Sequence, residues 1–145
     1  MIQRALLLLV AVTAMVWPVL GEAGEQWVYR KDVGGPLAEF RDPSGSSVIF
    51  RARCENASTL MLEYFGDGQV PLTGGTLVMA GFALTTTSRH QGAFTTLVGR
   101  LSLSAEQIRS ISQTAEIEIA APNAAGEPWS TGNAAPLKRL LRGCL

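Results

Sequence analysis

The side chains able to do chemistry near neutral pH are few in this sequence. There is one histidine, His90, and there are two cysteines, Cys54 and Cys144. General-base or nucleophilic catalysis needs partner groups held within hydrogen-bond reach. His90 stands in Ser88-Arg89-His90-Gln91-Gly92, a stretch of turn composition between two apolar runs. That reads as a loop tip, a place for a binding residue more than for a catalytic centre. One histidine and two cysteines cannot build the usual His/Cys zinc sites, so no metal is expected. Asp67, between two glycines, and Asp42, before Pro43, are turn formers and lack the alternating acidic ligands of a calcium loop. Gly34-Gly35 and Gly74-Gly75 lack the spaced glycines and lysine of a phosphate cradle, and no Gly-x-Ser-x-Gly nucleophile motif occurs. The expectation is a protein that is not an enzyme, with no catalytic residue and no cofactor.

The cysteines have a different chemistry, set by where the chain goes. Met1 to Arg4 carries one positive charge, Ala5 to Val16 is an apolar run with Thr13 as its one polar residue, and Trp17-Pro18 ends it. Gly21 and Ala23 then stand two apart, the small-residue spacing that signal peptidase requires. Residues 1–23 are expected to be a signal peptide cleaved after Ala23, with Gly21 as the alternative. A membrane span needs about twenty apolar residues. Pro18 and Glu22 cut this run short, so no stable span is expected after cleavage, and the protein is placed in the periplasm or outside the cell. An even cysteine count in such a compartment favours a disulfide.

The elements around the two thiols agree. In Ser47 to Cys54, Val48, Phe50, Ala52 and Cys54 alternate with Ile49, Arg51 and Arg53, a strand period that puts the cysteine on the face opposite the arginines. Leu137, Leu140, Leu141 and Cys144 fall at i, i+3, i+4 and i+7, one helical stripe with Lys138, Arg139 and Arg142 assigned to the solvent side. A Cys54–Cys144 bond would close about ninety residues, worth on the order of 4–5 kcal/mol in the chain-entropy model.

The remaining elements are mainly strands. Gln26 to Lys31 and Leu37 to Arg41 flank a turn at Gly34-Gly35-Pro36; the Cys54 strand pairs with Thr59 to Phe65; Thr76 to Thr87 pairs with Ala93 to Arg100 across Ser88 to Gly92. Ser104 and Gln107 form a capping box that opens a short helix carrying Ile108 and Ile111, followed by a strand over Ala115 to Ala121. Pro122 to Gly132 reads as a loop, and Asn133 as the cap of the last helix. The expected fold is a single α+β domain over residues 24–145: a mostly antiparallel sheet or sandwich, a short helix, and a C-terminal helix tied to the sheet.

Composition narrows the partner. Of 145 residues, 47% are hydrophobic and 17% charged, with twelve basic and twelve acidic side chains. Zero net charge argues against nucleic acid, which requires a basic surface. Arg51 and Arg53 form one basic stripe and Lys138, Arg139 and Arg142 another; brought onto one surface, they would suit an anionic partner. Trp27 and Trp129 are polar-flanked aromatics of the kind that cover a core edge or anchor an interface.

The layout is similar to that of a known group. An early Trp27, a strand ending in Arg-x-Cys, a late Trp/Ser/Thr/Gly loop and a terminal Leu-Lys-Arg-Leu-Leu-Arg-Gly-Cys helix resemble small exported bacterial proteins of unknown function, including type VI secretion-associated proteins of the VasI kind. The resemblance covers the order of elements over residues 46–144 and implies a bridge from the sheet to the last helix. The charged mid-chain motif of that group, Arg-x-Asp followed by a Trp, is missing between Gln69 and Gly99. The expected function is therefore an exported binding or accessory protein acting on another envelope or secreted protein. Arg51, Arg53, Lys138, Arg139, Arg142, Trp129 and His90 are its candidate surface. The alternative is a small secreted hydrolase or enzyme inhibitor working through a surface loop.

Overall fold

The computed structural model describes residues 26–144, so the export signal expected at residues 1–23 lies outside the described residues. The chain begins with β1 (Trp27–Asp32), β2 (Gly35–Arg41), β3 (Val48–Asn56) and β4 (Thr59–Tyr64), continues through β5 (Val78–Met79), β6 (Phe82–Ala83), β7 (Thr85–Gln91) and β8 (Phe94–Ser102), and ends with α1 (Ala105–Gln113), β9 (Glu118–Ala120), β10 (Trp129–Ser130) and α2 (Ala135–Arg142). Six strands make one antiparallel sheet in the order β1-β2-β3-β4-β8-β7, and four short ones make a second, β10-β9-β5-β6. The expected α+β fold, mostly antiparallel, is the one observed.

Alternation along each strand gives the large sheet two unlike faces. Trp27, Phe40, Phe50, Tyr64 and Leu97 are successive cross-strand partners, and all five are buried. Phe50 stacks on Tyr64 at 5.0 Å between centroids, and Trp129 of β10 meets Phe50 edge-on at 6.0 Å, so the second sheet closes over this row. The next row, Ala38, Ala52, Leu62 and Gly99, is mostly small. A Cβ on Gly99 would lie 2.7 Å from Leu84 Cδ2 and 2.9 Å from Leu84 Cβ; the missing side chain is what lets the segment beside β6 pack onto the sheet. Further along the same face, α2 lies against β1, β2 and β3 and also touches α1. Its stripe of Leu137, Leu140, Leu141 and Cys144 is buried, and Cys144 is bonded to Cys54 with the Cα atoms 5.5 Å apart.

Several sequence expectations change. Thr76 to Thr87 is not one strand. Ala80 and Gly81 both have left-handed backbones, φ 50° and 82°, which makes the tight primed turn that joins short antiparallel strands. This turn diverts β5 and β6 into the second sheet and leaves β7 to pair with β8. Ser88 to Gly92 is not a loop: β7 runs on to Gln91, and only Gly92 and Ala93 turn. Polar residues read as a turn because an edge strand has little to bury. Pro122 to Gly132 contains β10, which pairs with β9. Asn133 does not cap α2. Ala134 holds that position with φ 55° and no side-chain hydrogen bond, while the Asn133 carboxamide oxygen accepts from Lys138 Nζ at 2.9 Å. The capping box at Ser104 and Gln107 forms as expected.

Two outcomes follow for stability. The disulfide closes a loop of 90 residues, so Cys54→Ser and Cys144→Ser should each lower unfolding free energy by about 4–5 kcal/mol, and the double variant should be no worse in denaturant titration. Ala80 adopts a conformation that costs an L-residue with a Cβ about 1 kcal/mol more than glycine, so Ala80→Gly should raise the thermal midpoint by a few degrees.

Candidate functional site

The same alternation that turns Cys54 toward the core sends Arg51 and Arg53 to the other face of the sheet, together with Glu39 of β2 and Glu63 of β4, their direct cross-strand partners being Glu39 with Arg51 and Arg51 with Glu63. Among the described residues, neither a helix nor the second sheet lies upon this second face. Glu39 is nevertheless only 1% exposed. Arg30 Nη1 donates to Oε1 of Glu39 at 2.7 Å, Arg41 Nη2 to the same oxygen at 3.2 Å, and Arg51 Nη2 to Oε2 at 3.0 Å. The three guanidiniums remain between a quarter and a half exposed, and they form the lid over the carboxylate. Arg51 is held from its other side by Phe65, whose ring centroid lies 5.2 Å from its guanidinium carbon.

The electrostatics follow from this packing. Burial alone would raise Glu39; hydrogen bonds from Arg51 and Arg41, with the charges of Arg51 and Arg30, outweigh it and hold the carboxyl below its ordinary value of 4.5. One carboxylate cannot neutralise three arginines, so the cluster keeps an excess of positive charge at the surface. Around it the pairing is closer to even. Arg53 binds Asp32 through both nitrogens, and that contact, with the Gly34 N–H, lowers Asp32 from 3.8 to about 2. Glu63 is buried under Thr96, whose hydroxyl donates at 2.7 Å, and under Arg89 at 3.4 Å. Arg100 binds Glu55 at 2.9 Å. Counted over these ion pairs, Arg30, Arg41, Arg51, Arg53, Arg89 and Arg100 face Asp32, Glu39, Glu55 and Glu63. The face is basic although the chain is neutral.

The other candidates are scattered. Lys138, Arg139 and Arg142 sit on α2, on the opposite side of the sheet from Arg51 and Arg53, so the two basic groups do not form one surface. Lys138 does not face solvent: it is 7% exposed, and its Nζ donates to the Thr114 carbonyl at 2.7 Å. Thr114 closes α1, where unsatisfied carbonyls attract a cation. The position flanks Leu137 and Leu141, and a long stem can cross the helix contact that a wheel diagram treats as an outer face. The Arg139 guanidinium lies 4.0 Å from the Tyr29 ring centroid, and Arg142 is exposed.

Trp129 is half-buried and covers the aromatic row. A shallow hollow of about 420 Å³ lies beside it, lined by Asp67, Gln69, Asn123 and Glu127 among others. The Asp67 carboxylate there accepts from the Ala124, Gln69 and Val70 N–H groups, which lower its pKa and tie two loops together. Beneath the indole, the Tyr64 hydroxyl donates to the Pro122 carbonyl, and burial pushes Tyr64 up to about 12. These groups hold the loops in place. His90 is exposed on β7 with Nδ1 3.0 Å from the Thr95 hydroxyl. Among the described residues, no group of three or more His, Cys, Asp or Glu side chains is arranged to hold a metal.

Comparison with protein-family models, curated proteins and solved structures finds no match. The residues that sequence reasoning missed are Arg30, Arg41, Glu39 and Glu63. Glu39 sits between Ala38 and Phe40, and its strand parity marks it for the arginine face. No local pattern announces that arginines from three strands converge on it.

The cluster makes its own predictions. Any two arginines still neutralise Glu39, so Arg30→Ala or Arg41→Ala alone should cost about 1 kcal/mol or less. Replacing Arg30, Arg41 and Arg51 together strands a buried charge and should cost about 3–5 kcal/mol in denaturant titration. Glu39 and Asp32 both have lowered pKa values, so the stability they contribute is present above pH 4.5 and is lost as pH falls toward 2. Thermal midpoints should fall over that window, and those of Glu39→Gln should start lower at neutral pH and fall less.

Proposed function

We propose that this protein is an exported accessory domain that binds an acidic segment of another envelope or secreted protein across the arginine face of its sheet, acting by contact and not by catalysis. The observation that carries this reading is the convergence of Arg30, Arg41 and Arg51 on one carboxylate. Arginine forks match carboxylates in pairs, and three forks around one buried carboxylate leave donors directed at solvent. Those donors are already ordered by Glu39, which lowers the entropy cost of binding a second anion. Basic residues that met their full complement of acids would offer a partner nothing.

The compartment belongs to the same proposal. A disulfide suits an oxidising environment, and no helix among the described residues is long and apolar enough to cross a membrane. The periplasm, or the outside of a bacterial cell, is where the leading residues and the resemblance to exported and type VI secretion-associated proteins would put such a domain.

The test is titration of the disulfide-intact protein with an aspartate-rich peptide, followed by NMR of backbone amides and arginine Nε–Hε groups. Saturable shifts should gather on β1, β2 and β3, weaken with added salt, and require about tenfold more peptide in the Arg30→Ala/Arg41→Ala double variant. Equal binding by the double variant, or shifts gathered on α2, would overturn the proposal.

A further inference from the structure

We propose that the outer edge of β7 is a self-pairing surface through which two copies of this chain join their large sheets across a two-fold axis. β7 is the last strand of the sheet, and it pairs with β8 through seven residues without a shift of register. Thr85, Thr87, Ser88, His90 and Gln91 are exposed. Of the usual devices that stop an edge from pairing, the strand has one charge, Arg89, which points to the arginine face and is tied to Glu63; it has no proline, no lysine and no bulge, and no helix among the described residues covers it. The opposite edge, β1, has them, with Arg30-Lys31-Asp32 in sequence and α2 packed against it.

The backbone of β7 specifies the partner. Gln91 faces Phe94 across the two-residue turn Gly92–Ala93, and the residues flanking such a turn form a hydrogen-bonded pair. Alternation from that pair directs the N–H and C=O groups of Thr86, Ser88 and His90 away from β8. A second β7 laid antiparallel about Ser88 meets this pattern in full: Ser88 pairs with its own copy and Thr86 with His90, giving about six backbone hydrogen bonds. Centring the axis on Thr86 or His90 instead would leave outward groups at the strand ends unpaired.

The side chains agree with the same register. On the arginine face Thr87 stands opposite Arg89 and Thr85 opposite Gln91, so no like charges meet directly. Arg89 is already bound to Glu63 at 3.4 Å. On the other face Thr86 stands opposite His90. Such a contact is isologous and closes after two copies, so it makes a dimer and not a fibre. It is separate from the arginine cluster around Glu39, three strands away in the sheet.

Analytical ultracentrifugation and site-directed cross-linking test this on the disulfide-intact protein. The wild type should shift from monomer to dimer with rising concentration, with a midpoint on the order of 100 μM for so small an interface. Ser88→Lys would set two ammonium groups face to face and should stay monomeric with an unchanged circular dichroism spectrum. In Ser88→Cys the new thiols would face each other across the axis, at the Cα spacing a disulfide needs. Mild oxidation with diamide should therefore cross-link Ser88→Cys much faster than Thr85→Cys. A wild type that stays monomeric at about 1 mM, dimers that survive Ser88→Lys, or equal cross-linking of the two cysteine variants would each overturn the proposal, the last in favour of an unrelated extended segment or none.

Discussion

A carboxylate kept from water must be neutralised where it stands, and Glu39 imposes that demand on the open face of the sheet. No element among the described residues covers it there, and the arginines of three neighbouring strands do so with their own stems and forks. The arrangement constrains much else. It requires β1, β2 and β3 to keep their register, since a slip of one residue in any of them would move its arginine to the aromatic face. It also leaves the surface basic, because three cations meet there on a single negative charge.

The opposite face carries the stability. The aromatic row from Trp27 to Tyr64, the second sheet over it, and α2 beyond make one continuous core. The disulfide joins Cys54 of a central strand to the end of α2, the last helix and the element farthest from β3 in sequence. With the helix anchored by a covalent bond and by its leucine stripe, Lys138 is free to serve α1, where its ammonium meets the carbonyl of Thr114. A staple of this kind holds the helix without help from the arginine face.

Where a pattern is local, it was legible in the sequence. The alternation around Cys54, the heptad-like stripe ending at Cys144 and the Ser104/Gln107 box each lie within a few residues, and each element formed, with Cys54 and the Leu137, Leu140, Leu141 and Cys144 stripe turned to the core. What was not legible depends on tertiary partners. The run from Thr76 to Thr87 looked continuous because Ala80 is not a residue that usually announces a left-handed turn. Ser88 to Gln91 looked like a loop because edge strands and loops share a polar composition. Lys138 looked solvent-facing because a helical wheel has no record of a neighbouring helix end. Of the candidate surface, Arg51 and Arg53 lie on the face that their alternation implies, but Glu39, Arg30 and Arg41, which give Arg51 its setting, come from other strands and became visible only through the register.

The proposed function has the arginine face, and not the helix face, meet the partner. A photo-crosslinking amino acid placed at Val28, which is 39% exposed and lies directly opposite Glu39 in the sheet, samples the first face. The same group at Arg142 samples the second. Irradiated in an envelope fraction, the Val28 position should give a discrete adduct with an acidic segment, suppressed by salt, while the Arg142 position gives none. Adducts from Arg142 alone, or salt-insensitive adducts from both positions, would contradict it.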